Sequence, residues 1–282
     1  MKSSSLAGGS LWLPVGYEDL VGVFLLLDDC FLATPQPPTN EPSAARIIAG
    51  MVPHAGYVYS GGCAAHFYCC LDPSIERIVL LGVNHRASGH RAALSVWDGW
   101  ETPLGTVRVD SDANAVLKTR VSFLERDSLP HAREHSIEVQ LPFLQKVLGD
   151  FSFVPISLSD LSIQECAELG TAIAELYELG VAENIKTIII ASSDLNHYLP
   201  PKKILALDRL AIDQILALDP AGLIEIVDAQ GLSMCGVLPT AVMLFAAKAL
   251  GVDRVHLLKH CHSGDARPMD EVVGYASIAL ER

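Results

Sequence analysis

The sequence predicts an α/β fold, with a mostly parallel central sheet and helices on both faces in a three-layer αβα arrangement. Several short segments, such as residues 77–83 and 186–191, are almost entirely apolar, as expected of strands buried on both faces. Segments with helical spacing separate these apolar segments, and this alternation is typical of parallel strands joined by helices. With 282 residues, the chain is long enough to bury a substantial core.

The predicted strands are short segments rich in β-branched and other apolar residues. They cover residues 45–52, 77–83, 92–97, 105–109, 151–156, 186–191, 255–260 and 272–280. Residues 98–105, DGWETPLG, predict a turn between two of them because Gly and Pro interrupt regular structure. With Trp97 and Trp100, this segment is either a lid over a pocket or a plain hairpin.

The predicted helices follow from apolar residues that recur every three or four positions. In HSIEVQLPFLQKVLG, for example, Ile137, Leu141 and Leu144 share one face. The predicted helices cover residues 62–71, 112–120, a segment starting near Ser136, 162–178, about 203–217, 220–229 and 235–250. Residues 33–43, ATPQPPTNEPS, predict a proline-rich connector after a short N-terminal segment. We find no internal repeat, and residues 1–282 are predicted to form one domain.

Composition narrows the functional classes. The net charge is −13 and no cluster of Lys and Arg occurs, which argues against a nucleic-acid partner.

No apolar stretch reaches the roughly 18 residues that span a membrane, and acidic residues flank the apolar residues 20–27, unlike a signal peptide. The seven cysteines have irregular spacing without a CxxC motif, which predicts free thiols. We therefore expect a cytoplasmic protein, and the high mean hydropathy of +0.32 is compatible with a homo-oligomer.

Histidines follow three of the predicted strands at the point where each strand ends. His54 comes after residues 45–52, His85 after residues 77–83, and His197 after residues 186–191, where Asp194 precedes it. The carboxyl ends of parallel strands meet at one edge of a sheet, which is where ligands bind in such folds. A further pair, Glu134 and His135, lies at the start of a predicted helix. A lone histidine is more often structural, but three at strand ends predict a shared site.

The chemistry of these residues favours a metal site. Neutral imidazole is the commonest side-chain metal ligand, and two or three on one edge suit zinc, iron or copper. Cys235 lies at the start of an apolar predicted helix, whose N-terminus should lower the thiol pKa and favour the thiolate that binds metals or attacks electrophiles. The alternative for Cys235 is a capping position filled by a small residue.

A series of motifs resembles the Memo family, also called AmmeMemoRadiSam system protein B in bacteria and archaea. The motifs, in the order and at the spacing of that family, are PHAGYVYSG, CAAHFY, LLGVNH, TPLG, EHSIEVQLPFL, SSDLNHY and MCG. The resemblance covers residues 44–282, whereas the N-terminal AGGSLWLP resembles the family pattern only loosely. The family is similar in fold to class III extradiol ring-cleaving dioxygenases, which hold Fe(II) with two histidines and a glutamate.

The resemblance implies a metal site made of His54, His85 and Cys235, in which a thiolate replaces the carboxylate of the dioxygenases. It places Asp194 and His197 in the same pocket. It implies iron, or copper as an alternative. Because a thiolate is a softer ligand than a carboxylate, zinc is a further alternative. Animal members are described as adaptors in receptor-driven cell motility. Microbial members are associated with a radical-SAM protein and a third partner family, so such partner proteins are expected here.

Three functions follow as hypotheses. The first is a non-haem metal-dependent oxidoreductase, dioxygenase-like, acting on an unknown small substrate. His197, oriented by Asp194, and His135 would act as acids or bases in it, and Tyr57 and Glu134 would bind the substrate. The second is a non-catalytic adaptor that retains the old pocket for a metal or a peptide. The third is a zinc hydrolase with His197 as base. Tyr57 is equally well explained as a core aromatic residue.

Overall fold

The computed structural model describes residues 27–32, 44 and 46–282. The predicted connector, residues 33–43, and most of the segment before it lie outside the described residues, so the division of the chain at this point stays a prediction. Residues 27–32 are helical and are named α1. Within the described ranges, no helix is both long and apolar enough to cross a membrane.

A single sheet of ten strands forms the centre of the described part of the chain. The strands are β1 Ile47–Val52, β2 Arg77–Val83, β3 Ala92–Leu94, β4 Gly99–Thr102, β5 Gly105–Val109, β6 Glu125–Arg126, β7 Ser152–Leu158, β8 Thr187–Ser192, β9 Arg254–His262 and β10 Gly274–Glu281. The main path runs β4-β5-β7-β2-β8-β1-β10-β9, with β3 pairing to β7 and β6. From β5 to β1 every pair along this path is parallel, and the pairs at both ends are antiparallel. The predicted mostly parallel sheet is confirmed.

Helices cover both faces of the sheet, as predicted. The α-helices after α1 are α2 Gly62–Tyr68, α3 Ser111–Arg120, α4 Leu141–Val147, α5 Ile163–Glu183, α6 Pro201–Leu216, α7 Pro220–Gln230 and α8 Val237–Ala249. The central strands supply alternate side chains to two hydrophobic cores, because successive residues of a strand point to opposite faces. In β8, Ile188 and Ile190 join the core that contains α2 and α4, and Ile189 joins the core that contains α5 and α8.

The predicted turn at residues 98–105 is shorter than expected. The structure forms strand β4 within it, and only Pro103 and Leu104 separate β4 from β5. Such a tight connection is feasible because the Thr102 hydroxyl accepts the Leu104 N–H, and Gly105 adopts a φ of +115°. Trp100 packs against Phe153 in the core. Trp100 is thus part of a hairpin at the sheet edge, in agreement with the interpretation of this segment as a plain hairpin.

Helix ends also differ from the predicted ends. The helix expected near Ser136 begins with a 3-10 turn at Glu138–Gln140, and α4 follows with Pro142 in its first turn, where proline is tolerated. Helix α5 begins after Ser162, as predicted, since Ser162 and Glu165 form a capping box. It continues beyond residue 178 to Glu183 and ends at Asn184 in the left-handed conformation.

Candidate metal centre

The candidate site lies at the carboxyl ends of three adjacent parallel strands, β2, β8 and β1. These strands deliver His85, Asp194 and His54 respectively to the same edge of the sheet. The backbone N–H of His54 donates a hydrogen bond to the Asp194 carboxylate at 2.8 Å, which ties the ends of β1 and β8 together. Sequence reasoning therefore located the edge of the sheet at which polar side chains converge.

His54, His85 and Cys235 converge closely enough to share one metal ion. Their ligand atoms all lie within 4.8 Å of one another. The Cys235 Sγ lies 3.2 Å from His54 Nε2, and the rings of His54 and His85 are 5.3 Å apart at an angle of 81°. Atoms bound to a metal at 2.0–2.3 Å lie about 3–4 Å apart in a tetrahedral site, so the donor set fits a metal ion with little adjustment.

Cys235 reaches the site from the start of helix α8. Gly236 makes this approach feasible, because a Cβ atom at this position would lie only 2.3 Å from the Ser193 Cβ and 2.6 Å from the Ser192 carbonyl oxygen. The backbone N–H of Asp194 donates to the Cys235 sulfur at 3.3 Å, and the backbone N–H of Gly236 donates to the Ser193 hydroxyl. These contacts fix the sulfur over the end of β8.

Glu134 holds His85 rather than facing an open pocket. Its buried carboxylate accepts hydrogen bonds from His85 Nδ1 at 2.9 Å and from the backbone N–H groups of His85, His135 and Ser136. Burial acts to raise the pKa of Glu134, but these hydrogen bonds outweigh it and hold this pKa at about 2. Because the ionised carboxylate can only accept, His85 carries its proton on Nδ1 and presents the Nε2 lone pair. The predicted substrate role of Glu134 has no support from these contacts.

Ser192 contacts the other histidine of the set. Its hydroxyl oxygen lies 2.9 Å from His54 Nδ1, and both side chains are buried. The sequence places Ser192 in the SSDLNHY motif but predicts no role for it or for its neighbour Gln140, whose amide contacts the same hydroxyl. The sequence holds one indication that Gln140 has a specific role, because it is a polar residue next to Leu141 within an apolar helical pattern.

His135 lies beside the three candidate ligands. Its ring stacks on His85 with centroids 5.2 Å apart and makes an edge contact with His54 at 5.5 Å. Its Nδ1 lies 3.4 Å from the Glu134 carboxylate. His85, Glu134 and His135 form a second group with ligand atoms within 4.8 Å of one another, but this group shares His85 with the first.

His197 is held differently from the prediction. Its Nδ1 donates to the Ser233 carbonyl at 2.9 Å, and its backbone N–H donates to the Ser233 hydroxyl. The expectation that Asp194 orients this ring is therefore wrong, because the Asp194 carboxylate accepts from the backbone of β1's end instead. His197 is nonetheless close enough for its charge to influence the pKa values of His54 and Asp194.

Burial dominates the electrostatics of the site. It lowers the pKa of His54 well below its usual value, an effect strengthened by His135 and His85, and it lowers the pKa of His135. Burial also raises the pKa of Asp194. For Cys235, burial and next the Asp194 charge raise the thiol pKa, so the lowering expected from the helix N-terminus is wrong. The protein alone therefore keeps this thiol protonated, and a bound cation would have to displace the proton.

Tyr57, a predicted substrate-binding residue, lies in structural contacts. The Tyr57 hydroxyl donates to the Val139 carbonyl at 3.0 Å, and its buried ring packs on Phe143, as expected of a core aromatic residue. Its substrate role stays a prediction.

The fold and the site together define an α/β protein with a His/His/Cys group suited to a metal ion at the carboxyl edge of its sheet. The model of the Memo-like protein family matches residues 24–279, and the chain belongs to that family. It is 44% identical to a MEMO1 family protein of Methanopyrus kandleri over 87% of each chain. It is also 43% identical to a MEMO1 family protein of Pyrobaculum aerophilum, over 83% of this chain and 84% of the other. The predicted family is confirmed.

Proposed function

We propose that this protein is a metal-dependent oxidoreductase of the dioxygenase-like type, acting on a small substrate with iron as its first candidate metal. The observation that carries the proposal is the convergence of His54, His85 and Cys235, with ligand atoms within 4.8 Å, beside further titratable side chains. A purely structural metal site would have no need of a further titratable ring, His135, against both histidines of the set.

The donor set suits transition metals, among them the redox-active iron and copper. Two imidazole nitrogens and one thiolate are borderline-soft donors, which suit iron, copper and zinc better than magnesium or calcium. When bound, iron would supply open coordination positions and the capacity to exchange electrons with a substrate. The side chains of His85 and His135 are 32% and 44% exposed, so solvent and a small molecule can reach this side of the site.

The surrounding residues support proton transfer. Since the Ser233 carbonyl can only accept, His197 carries a proton on Nδ1 when neutral, and its Nε2 is left to take up or release a proton. His135, whose pKa is lowered chiefly by burial, is neutral at pH 7 and can act as a base on the open side of the site. The buried Asp194 carboxylate is close enough for its charge to raise the pKa of the Cys235 thiol.

Metal content is the direct test of the site. The protein would be purified without oxygen after Fe(II), Cu(I) and Zn(II) are offered together, and its metals measured by mass spectrometry. We expect about one metal ion per chain, lost in Cys235→Ser and in His54→Ala. Cys69→Ser, which changes an exposed cysteine, is the matched control and should keep the metal. Full metal content in Cys235→Ser would show that the ligand set is wrong.

Oxygen consumption then separates the enzyme from the adaptor. The iron-loaded protein would be screened for oxygen uptake with small phenols, with the zinc-loaded protein as control. Turnover that requires iron and falls at least 10-fold in His197→Ala supports the oxidoreductase. Metal and ligand binding without turnover would favour the non-catalytic adaptor instead. The predicted cytoplasmic location, radical-SAM partners and homo-oligomer stay predictions.

A further inference from the structure

A buried chain of hydrogen bonds leads from Tyr68 through Gln140 and Ser192 to His54. Tyr68, Gln140, Ser192 and His54 are all at most 2% exposed, so water does not compete for their hydrogen bonds. We propose that Gln140 and Ser192 are positioning residues that fix His54 in one tautomer, with the proton on Nδ1 and the Nε2 lone pair directed at Cys235. This inference rests on the proposed function, because the lone pair matters for function only if His54 binds a metal ion.

The orientation of the Gln140 amide is set by two neighbours. The Pro53 carbonyl oxygen, 2.9 Å away, can only accept a hydrogen bond, so the amide atom facing it must be the NH₂ group. The amide oxygen then faces the Tyr68 hydroxyl, which donates to it at 2.7 Å. The remaining proton of the NH₂ group points to the Ser192 hydroxyl oxygen at 2.9 Å.

The Ser192 hydroxyl has one proton and two lone pairs, and each has a fixed destination. The proton goes to the Ser136 carbonyl oxygen, 2.6 Å away, because that oxygen can only accept. One lone pair receives the Gln140 NH₂ proton. The other faces His54 Nδ1 at 2.9 Å, and this contact is a hydrogen bond only if Nδ1 carries the proton.

The opposite tautomer of His54 is therefore disfavoured. It would place the lone pair of Nδ1 against a lone pair of Ser192 in a dry environment and leave a buried acceptor unsatisfied. With Nδ1 protonated, Nε2 has a free lone pair 3.2 Å from the Cys235 sulfur. His54 and His85 thus present the same nitrogen, but His85 is held by the charged Glu134 and His54 by neutral groups anchored on two backbone carbonyls.

The tautomer can be measured without any metal. Long-range ¹⁵N–¹H correlation spectra of the metal-free protein at pH 7.5 should show His54 with protonated Nδ1 in the wild type. In Ser192→Ala the acceptor is gone, and we expect a mixture of tautomers or a shift to protonated Nε2. Ser277→Ala, which removes another fully buried serine hydroxyl, is the matched control and should keep the wild-type pattern.

Zinc affinity gives a second readout, with Zn(II) titrated against a chromophoric chelator. Ser192→Ala should weaken binding by roughly 10- to 100-fold, as is typical for groups that orient a ligand, and Ser277→Ala should not. If Ser192→Ala does not fold, Ser192→Cys replaces it, since a thiol is a weaker acceptor and should give a smaller loss in the same direction. Unchanged tautomer and unchanged zinc affinity in a folded Ser192 variant would overturn the inference. Absence of zinc binding in the wild type would instead count against the metal function, and the tautomer spectrum would still decide this inference.

Discussion

Glu134 orients several groups of the site through its hydrogen bonds. One carboxylate orders a candidate ligand, His85, and three backbone N–H groups of the surrounding loop. Its hydrogen bonds are charge-assisted, which makes them stronger than neutral ones. The loop that carries His135 is thus shaped around the same group that orients His85.

Glu134→Gln tests this arrangement at the scale of a single residue. The amide keeps the size of the side chain. Its NH₂ group, however, must face at least one of the N–H donors from which the wild-type carboxylate accepts a hydrogen bond, and that bond is lost. We expect zinc affinity to fall roughly 10- to 100-fold and the free energy of unfolding to fall by about 1–3 kcal/mol. Chelator competition and urea unfolding measure the two effects. Glu168→Gln, at an exposed position, should change neither, and a Glu134→Gln protein with wild-type zinc affinity would refute the orienting role.

Residue types explain which parts of the site could be predicted. Histidine and cysteine are uncommon and chemically distinctive, so their positions after strands and before a helix stand out in the sequence. Serine and glutamine are common and hydrogen-bond in many contexts. The roles of Ser192 and Gln140 depend on contacts between distant segments, such as the bond from Gln140 to Pro53, and no local pattern encodes these.

At the scale of elements, the site depends on how closely helix α8 approaches the end of β8. Gly236 permits that approach because a side chain there would overlap both Ser193 and the Ser192 backbone. The helix begins one residue later, at Val237, so the position of Cys235 is coupled to the position of the whole helix.

Gly236→Ala should therefore move Cys235 away from the histidines. We expect a loss of about 1–3 kcal/mol in the free energy of unfolding from the overlap, together with at least a 10-fold weaker zinc affinity. Gly62→Ala is the matched control, since a Cβ atom in that helix position meets nothing within 4 Å and should be neutral or slightly stabilising. Urea unfolding and chelator competition on both variants provide the check. Equal zinc affinity in Gly236→Ala and the wild type would contradict the coupling.

The order and type of the elements were largely predictable, and their ends were less so. Apolar segments such as β2 and β8 have the composition of buried strands wherever they lie in the sheet. The short strand β6, Glu125–Arg126, was missed because it has no apolar residue and exists only through its pairing with β3. Where pairing partners define a strand, the local sequence carries little signal.

At the scale of the whole molecule, two histidines of the described residues, His54 and His131, are buried, and burial lowers the pKa of both. His131 is 5% exposed and lies among Trp97 and Trp100, and its Nε2 is 3.2 Å from the Ala93 carbonyl. Burial lowers the pKa of His131 to about 4. In an unfolded chain the pKa of histidine is about 6.5, so between these pH values the unfolded state binds a proton that the folded state does not.

The free energy of unfolding should consequently fall as the pH decreases from 6.5 towards 4. His131 alone accounts for a loss of about 2–3 kcal/mol at pH 4.5, as an order of magnitude. Above pH 6.5 the imidazole is neutral in both states and this loss vanishes. Urea unfolding of the wild type and His131→Gln at pH 7.5 and 4.5, in the presence of a chelator, measures the difference. The free energy of unfolding should fall less between pH 7.5 and 4.5 in His131→Gln than in the wild type. An equal fall in the two proteins would show that His131 is not the cause.

The position of β10 has a consequence for synthesis of the chain. This strand lies between β1 and β9, so β1 gains one of its two neighbours only after residues 274–281 have been made. At about 5–20 residues per second, the ribosome takes roughly 10 to 45 s to reach β10 after finishing β1. During that time the backbone of β1 on that side has no strand partner from the sheet. A nascent chain stalled before Gly274 should therefore be a good substrate for chaperones that bind exposed strands, and release of the full-length chain should end that interaction.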